Sequence, residues 1–298
     1  MPMIARVPAA SPPWEGTLPR RGLPRALRRF LRHRPAVFAA AVILVYLVAA
    51  LLAPLLARYD PLSTSAGPRL YPPNVQNWFG TDEYGRDVFS RVVYGARIAF
   101  TVGVSAALGA ALLGSTLGML GGYLGGGVDR AVTVAIDLVF AFPTILLAVA
   151  LAVFMGASMP TVVLAIACVQ APHFARVVRG ATLAVKQRLY VEAARAVGAG
   201  TGRVLLRHIL PNVLTPLIVQ LALSFSYAVL AESTLSFLGV GNPPPAPSWG
   251  AMLTGAYGYV EQAPWAALFP GLAITLLILG FNVMGDGLQD LLDPTRRS

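Results

Sequence analysis

Charge is scarce in this chain: 12% of its 298 residues are Asp, Glu, Lys or Arg, against about 25% in soluble domains. With 56% hydrophobic residues, that shortage excludes an ordinary soluble core and points to a polytopic membrane protein. Cysteine is nearly absent. The one cysteine, Cys168, lies inside an apolar run, so no intrachain disulfide can form. Histidine occurs three times, as His33, His173 and His208, and none has metal-ligand spacing around it. There is no Gly-x-Ser-x-Gly, no His-Glu-x-x-His and no GxxxxGK(S/T) phosphate loop. These absences disfavour an intramembrane enzyme and exclude a P-loop ATPase. Lys186 is the only lysine among 23 basic residues, a feature read as genome composition. The net charge of +10 does not indicate nucleic-acid binding, because the basic residues lie at the ends of apolar runs, not among base-stacking aromatics.

What is present is a series of long apolar runs. The first, residues 36–56, has about 21 uncharged residues, roughly 32 Å of helix against a hydrocarbon core of about 30 Å. It is too long, and its leader too long, for a cleaved signal peptide. Residues 98–120, 132–154, 160–178, 213–238 and 265–288 follow. The expected fold is all-α, a polytopic membrane protein with six transmembrane helices and both termini on one side. Residues 1–35 carry eight Arg, and 175–211 carry seven Lys+Arg with one acid, whereas 156–159 and 239–264 contain neither Lys nor Arg. That asymmetry puts both termini and the 175–211 loop in the cytoplasm. Residues 58–97 are assigned outside, their five Arg nearly balanced by four acids. Ahead of the first run, RALRRFLRHRP reads either as a basic amphipathic helix on the membrane surface or as a plain basic tail.

Several positions within the runs carry mechanical or polar content. Gly114, Gly118, Gly122 and Gly126 fall on one helix face and predict close packing, within this chain or against a second subunit. Asp137 lies in the third run, where a neighbour neutralises it or it lines a water-filled path. Pro143 is expected to bend that helix. Gln170 and His173 in the fourth run, and Glu232 on the outer half of the fifth, are candidates for a translocation path. The Pro-rich stretch after Gly241 is expected to resume helix near Trp249, and Trp265 to anchor the last span at the interface. Asp286, Asp290 and Asp293 are expected to face water.

Between the fourth and fifth runs lies KQRLYVEAARAVGAGTGRVLLRHILPN, residues 186–212. Residues 186–197 have helix-forming composition. Gly198 and Gly200 can take positive φ and end that helix. Thr201 can cap a second short helix reaching Ile209, and Pro211 opens the fifth span. Two short helices, nearly at right angles, are expected at the membrane face. Ala193 and Ala194 offer a small, flat surface for another protein; a surface hairpin with no partner satisfies the same physics.

The spacing of Glu192-Ala193-Ala194, then Gly198, then Leu210-Pro211 resembles the EAA loop of ABC importer permeases. His208 departs from it, standing where that pattern usually has an apolar residue. FGTDEYGRDVFSRVVYGAR after the first run, AFP in the third, and LSFLGVG with PPAPSWGAML before the last narrow the resemblance. Together these segments resemble the C-type permease subunit of dipeptide/oligopeptide/nickel ABC importers, from about residue 25 onward. The resemblance implies a type I permease fold: residues 1–97 as an N-terminal region, 98–290 as the permease domain with a coupling loop at 186–211, and 291–298 as a cytoplasmic tail. It implies a multi-pass protein of a bacterial or archaeal plasma membrane with no catalytic residue, no metal and no cofactor of its own. ATP and Mg would be bound by two cytoplasmic ATPase subunits. The other implied partners are a homologous B-type permease, an external solute-binding protein and membrane lipid. Glu192, Ala193, Ala194, Gly198, Leu210 and Pro211 would carry the coupling. Peptides are the commonest cargo of such subunits, with nickel and glutathione as alternatives. A self-sufficient secondary transporter is disfavoured, because no half-to-half repeat is visible.

Overall fold

A computed structural model describes residues 33–243 and 245–292. Most of the basic segment before the first span, and Asp293, Arg296 and Arg297, lie outside the described residues. The elements are α1 (Arg34–Leu51), α2 (Ala53–Leu56), α3 (Val88–Leu124), α4 (Gly126–Phe140), α5 (Thr144–Met155), α6 (Met159–Val185), α7 (Leu189–Ala196), α8 (Thr201–Val204), a π-turn (Leu205–Ile209), α9 (Leu210–Phe237), α10 (Trp249–Tyr257) and α11 (Pro264–Leu292). Among the described residues the only β feature is an isolated bridge between Thr81 and Asp87.

Five helical stretches are long and apolar enough to cross a membrane: Arg34–Leu51, Val88–Leu124, Met159–Val185, Thr201–Phe237 and Pro264–Leu291. The remaining expected span is broken, with α4 and α5 meeting at 91°. Pro143 is the cause. It lacks an N–H and biases Phe142 out of the helical region, so α4 ends and α5 starts afresh. The packing of α3 on α6 shows what the bent pair does. Gly109, Gly114, Gly118 and Gly122 face Ala167, Ala171, Ala175 and Arg179 in that order, so the two helices run parallel. Parallel neighbours need a connection that returns along the bundle, and α4–α5 is that connection. The chain therefore makes six crossings, with the bent pair counted as one.

The glycine stripe sets this spacing. An added Cβ at Gly114 or Gly118 would strike the carbonyl oxygen of Ala171 or Ala175, so these glycines let two helix backbones touch. The packing is internal to the chain for Gly114, Gly118 and Gly122. Gly126 opens α4 instead and faces open space.

At the other end of α3, helix begins at Val88, ten residues before 98, so the 97/98 boundary falls inside it. The Asp87 carboxylate accepts from Ser90 N at 2.8 Å and Ser90 Oγ at 2.7 Å, and from Asn77 Nδ2 at 2.9 Å. This buried N-cap satisfies donors the first turn would otherwise leave open. Two indoles fasten the later elements to the same region. Trp249 Nε1 donates to Val92 O at 2.9 Å, and Trp265 Nε1 donates to Thr81 O at 3.1 Å. Trp265 thus ties α11 to the loop before α3.

Candidate functional site

At the opposite end of the bundle, α7 ends in a motif its sequence dictates. Gly198 adopts φ +84°, its N–H donates to Arg195 O at 2.9 Å, and Ala199 N donates to Ala194 O at 3.0 Å. These are the two bonds of a Schellman cap, which a residue without Cβ adopts at least cost. Gly200, by contrast, has φ −66° and is the N-cap of α8. Thr201 is therefore the first helical residue and makes no capping bond, a correction to the sequence reading.

The main apolar anchor of α7 is Val191. Val191 is fully buried among Val185, Val204, Ile209 and Val213, with Tyr123 at the end of α3 packed beside them. Polar bonds add to this anchor. Lys186 Nζ donates to Gly122 O at 2.6 Å, satisfying a carbonyl at the end of α3. The Arg195 guanidinium sits 5.7 Å from the Tyr123 ring centroid. The outer side of α7 is left open. Glu192 and Ala193 are exposed, and Glu192 forms no ion pair with a described residue. Ala194 is half-buried. Leu189, the first residue of α7, and Val197, just past its end, are 82% and 84% exposed. Such exposure at both ends of an anchored helix is what a docking surface requires.

The second short helix is not a separate element. Helix runs from Thr201 to Phe237, through the π-turn and past Pro211. Pro211 lacks an N–H, and in a regular α-helix its ring would press on the carbonyl four residues back, that of Arg207. The wider π-turn immediately before it relieves that crowding without ending the helix. Asn212 Nδ2 donates to His208 O at 2.7 Å, adding a side-chain bond across this turn. Leu210 is half-buried against the Val191 cluster and Pro211 is exposed. The His208 ring lies 6.3 Å from that of Tyr190, so the residue that departs from the family pattern contacts α7 directly.

The three path candidates do not converge. Gln170 is buried and its Nε2 donates to Ser224 Oγ at 3.4 Å, joining α6 to α9. His173 is half-buried, edge-on to Phe140 at 4.8 Å. Glu232 is buried near the far end of α9 and accepts from Ser236 Oγ at 2.8 Å. Asp137 has a neutralising neighbour, Arg176 Nη2 at 3.5 Å, and both side chains are exposed. A stronger clamp escaped the sequence reading: Arg179 holds Asp129 bidentately at 2.5 and 2.7 Å, fixing α6 to α4. Spacing gave no signal for it, because the partners are 50 residues apart.

Known proteins resemble this chain along its whole length. The model of the family "Binding-protein-dependent transport system inner membrane component" matches residues 114–298, and that of "N-terminal TM domain of oligopeptide transport permease C" matches 24–76. The dipeptide transport system permease protein DppC of Alkalihalophilus pseudofirmus is 39% identical over 297 residues, covering 100% of this chain and 98% of that protein. The glutathione transport system permease protein GsiD of Shigella flexneri is 45% identical over 268 residues, covering 90% of this chain and 88% of its own. A putative peptide transport system permease protein of Brucella abortus is 42% identical over 267 residues, 90% of each chain. Among solved structures, a chain of the inward-facing MetNI methionine ABC transporter superposes with a TM-score of 0.57 at 18% identity, covering 68% of this chain and 96% of that one. That likeness supports the fold. With six crossings and an anchored, outward-facing EAA helix, the chain belongs to the binding-protein-dependent transport system inner membrane components: it is a multi-pass permease subunit of an ABC importer.

Proposed function

We propose that this permease forms half of a translocation path for short peptides and uses α7 to couple ATPase closure to opening of that path. It pairs with a homologous B-type permease. Two cytoplasmic ATPase subunits, which bind ATP and Mg, sit below, and an external solute-binding protein delivers cargo above. The single observation that carries the coupling is the α7 surface: Val191 anchors one side, while Leu189, Glu192, Ala193 and Val197 stand open on the other. Glu192, Ala193 and Ala194 seat in the ATPase, Gly198 closes the helix, and Leu210 with Pro211 passes the movement into α9. ATP-driven approach of the ATPases draws paired coupling helices together and opens the path outward; hydrolysis resets it. Gln170, His173 and Glu232 are assigned to the path only as candidates.

The cargo class rests on relatives named for dipeptide, peptide and glutathione transport, all peptide chemistry. Placement of both termini and α7 in the cytoplasm rests on the basic residues at 1–35 and 175–211. Gly198→Asp, or deletion of residues 192–194, is expected to abolish dipeptide uptake and recovery of the ATPases with the permease, while membrane insertion persists. Wild-type uptake in either variant contradicts the coupling role.

A further inference from the structure

Far from the coupling loop, an apolar groove of about 400 Å³ runs between α1, the start of α3 and α11. Val45 and Ala49, Val93 and Ala96, and Leu272 and Leu276 form its walls. Phe79 and Phe89 close its outer end, with Phe79 stacked on Phe269 at 3.8 Å and edge-on to Phe89 at 5.1 Å. Val45, Leu272 and Leu276 are exposed, so the groove is continuous with the lipid-facing surface.

One polar group lines it. The Tyr46 phenol makes no hydrogen bond with any described residue. A hydroxyl in an apolar setting is costly without an acceptor. Tyr46 lies five residues inside the outer end of α1, roughly 8 Å along the helix. At the mouth, exposed Trp78 meets Phe89 edge-on at 4.9 Å, and the Arg58 guanidinium sits 4.9 Å above the Trp78 ring. Arg58 uses Nη1 alone, donating to Val75 O at 2.7 Å and Gln76 O at 3.2 Å, and it has no acidic partner among the described residues.

We propose that this groove is a specific phospholipid site, with one acyl chain in the slot, an ester carbonyl accepting from Tyr46, and the phosphate at Arg58. The order of groups along the groove is cation, interfacial aromatic, lone donor, apolar slot. A glycerophospholipid presents the complementary order: phosphate, interface, ester, chain. Free phosphate satisfies Arg58 and leaves both Tyr46 and the slot unmatched. Which leaflet supplies the lipid follows from the topology proposed above; the existence of the site does not.

The test uses the full chain, purified in detergent, mixed with palmitoyl-oleoyl phosphatidylglycerol and examined by native mass spectrometry. One lipid is retained by the wild type. Tyr46→Phe and Arg58→Gln each weaken retention about five- to tenfold, the worth of one hydrogen bond. Ala49→Phe, which fills the slot, abolishes retention with helix content unchanged by circular dichroism. Dioleoylglycerol, which has no phosphate, binds without dependence on Arg58, and inorganic phosphate does not displace the phospholipid. Because Tyr46→Phe removes only the hydroxyl and adds no bulk, it tests the site even if Ala49→Phe fails to fold. No retained lipid on the wild type overturns the proposal. So does equal retention by the wild type and the Tyr46→Phe and Arg58→Gln variants, or displacement of the lipid by inorganic phosphate alone.

Discussion

Gly118 is a position where even one carbon does not fit, since its Cβ would meet the Ala175 carbonyl. Moving backbone is harder than moving a side chain tip, so Gly118→Val should cost about 1–3 kcal/mol or more. The check is the thermal midpoint of the detergent-purified chain, which should fall well below that of a control at Gly127, where an added Cβ meets nothing. The stripe was legible in sequence because four glycines recur at helical spacing, although the fourth, Gly126, lies outside the packing. Its partner was not, because a small-residue face does not name its neighbour. Single charges were legible in the same partial way. Asp137 could be read as needing a neighbour, but Arg176, 39 residues away, could not be identified. His208 stood out as a departure from the family pattern, and only the fold places it beside Tyr190.

Elements were read best where one signal dominated. Pro143 predicted a bend, and the 91° break between α4 and α5 is that bend carried to its limit. The start of α3 was missed because Arg91 and Arg97 look like loop. Arg91 is in fact buried, donating to Pro61 O at 3.0 Å and lying 3.6 Å from Asp82. A helix can thus begin among charges when the preceding segment folds back to meet them. Asp87→Ala removes the N-cap and leaves Asn77 and Ser90 donors unpaired, at a cost of about 1–2 kcal/mol. Residues 57–87 should then become sensitive to protease added from their own side of the membrane. Protection equal to wild type would mean that the cap does not hold this segment. The π-turn was also invisible in sequence, since Pro211 there reads as a helix start. In the coupling proposed above, continuity through Pro211 makes α8 and α9 one lever.

At the scale of the molecule, parallel packing of α3 and α6 supports six crossings, and the proposed sides rest on the basic residues. That assignment is open to a labelling test. In a Cys168→Ser background, an impermeant maleimide added to intact cells should label Ser63→Cys and spare Val197→Cys, both exposed or half-exposed positions outside the spans. Hydropathy and charge made this architecture readable, since six apolar runs survive any detail of packing. The proposed α7 docking surface was readable only as a motif; its anchor at Val191 and its open flanks at Leu189 and Val197 needed the fold. The most direct measurement of the central claim is a cross-link from that surface. In the same cysteine-free background, Ala193→Cys in the assembled importer should cross-link to a cysteine introduced on the membrane-facing side of the partner ATPase, with a yield that changes when ATP is bound. No cross-link to any ATPase, with Ala193→Cys still freely labelled from the cytoplasm in the assembled complex, would contradict the coupling account.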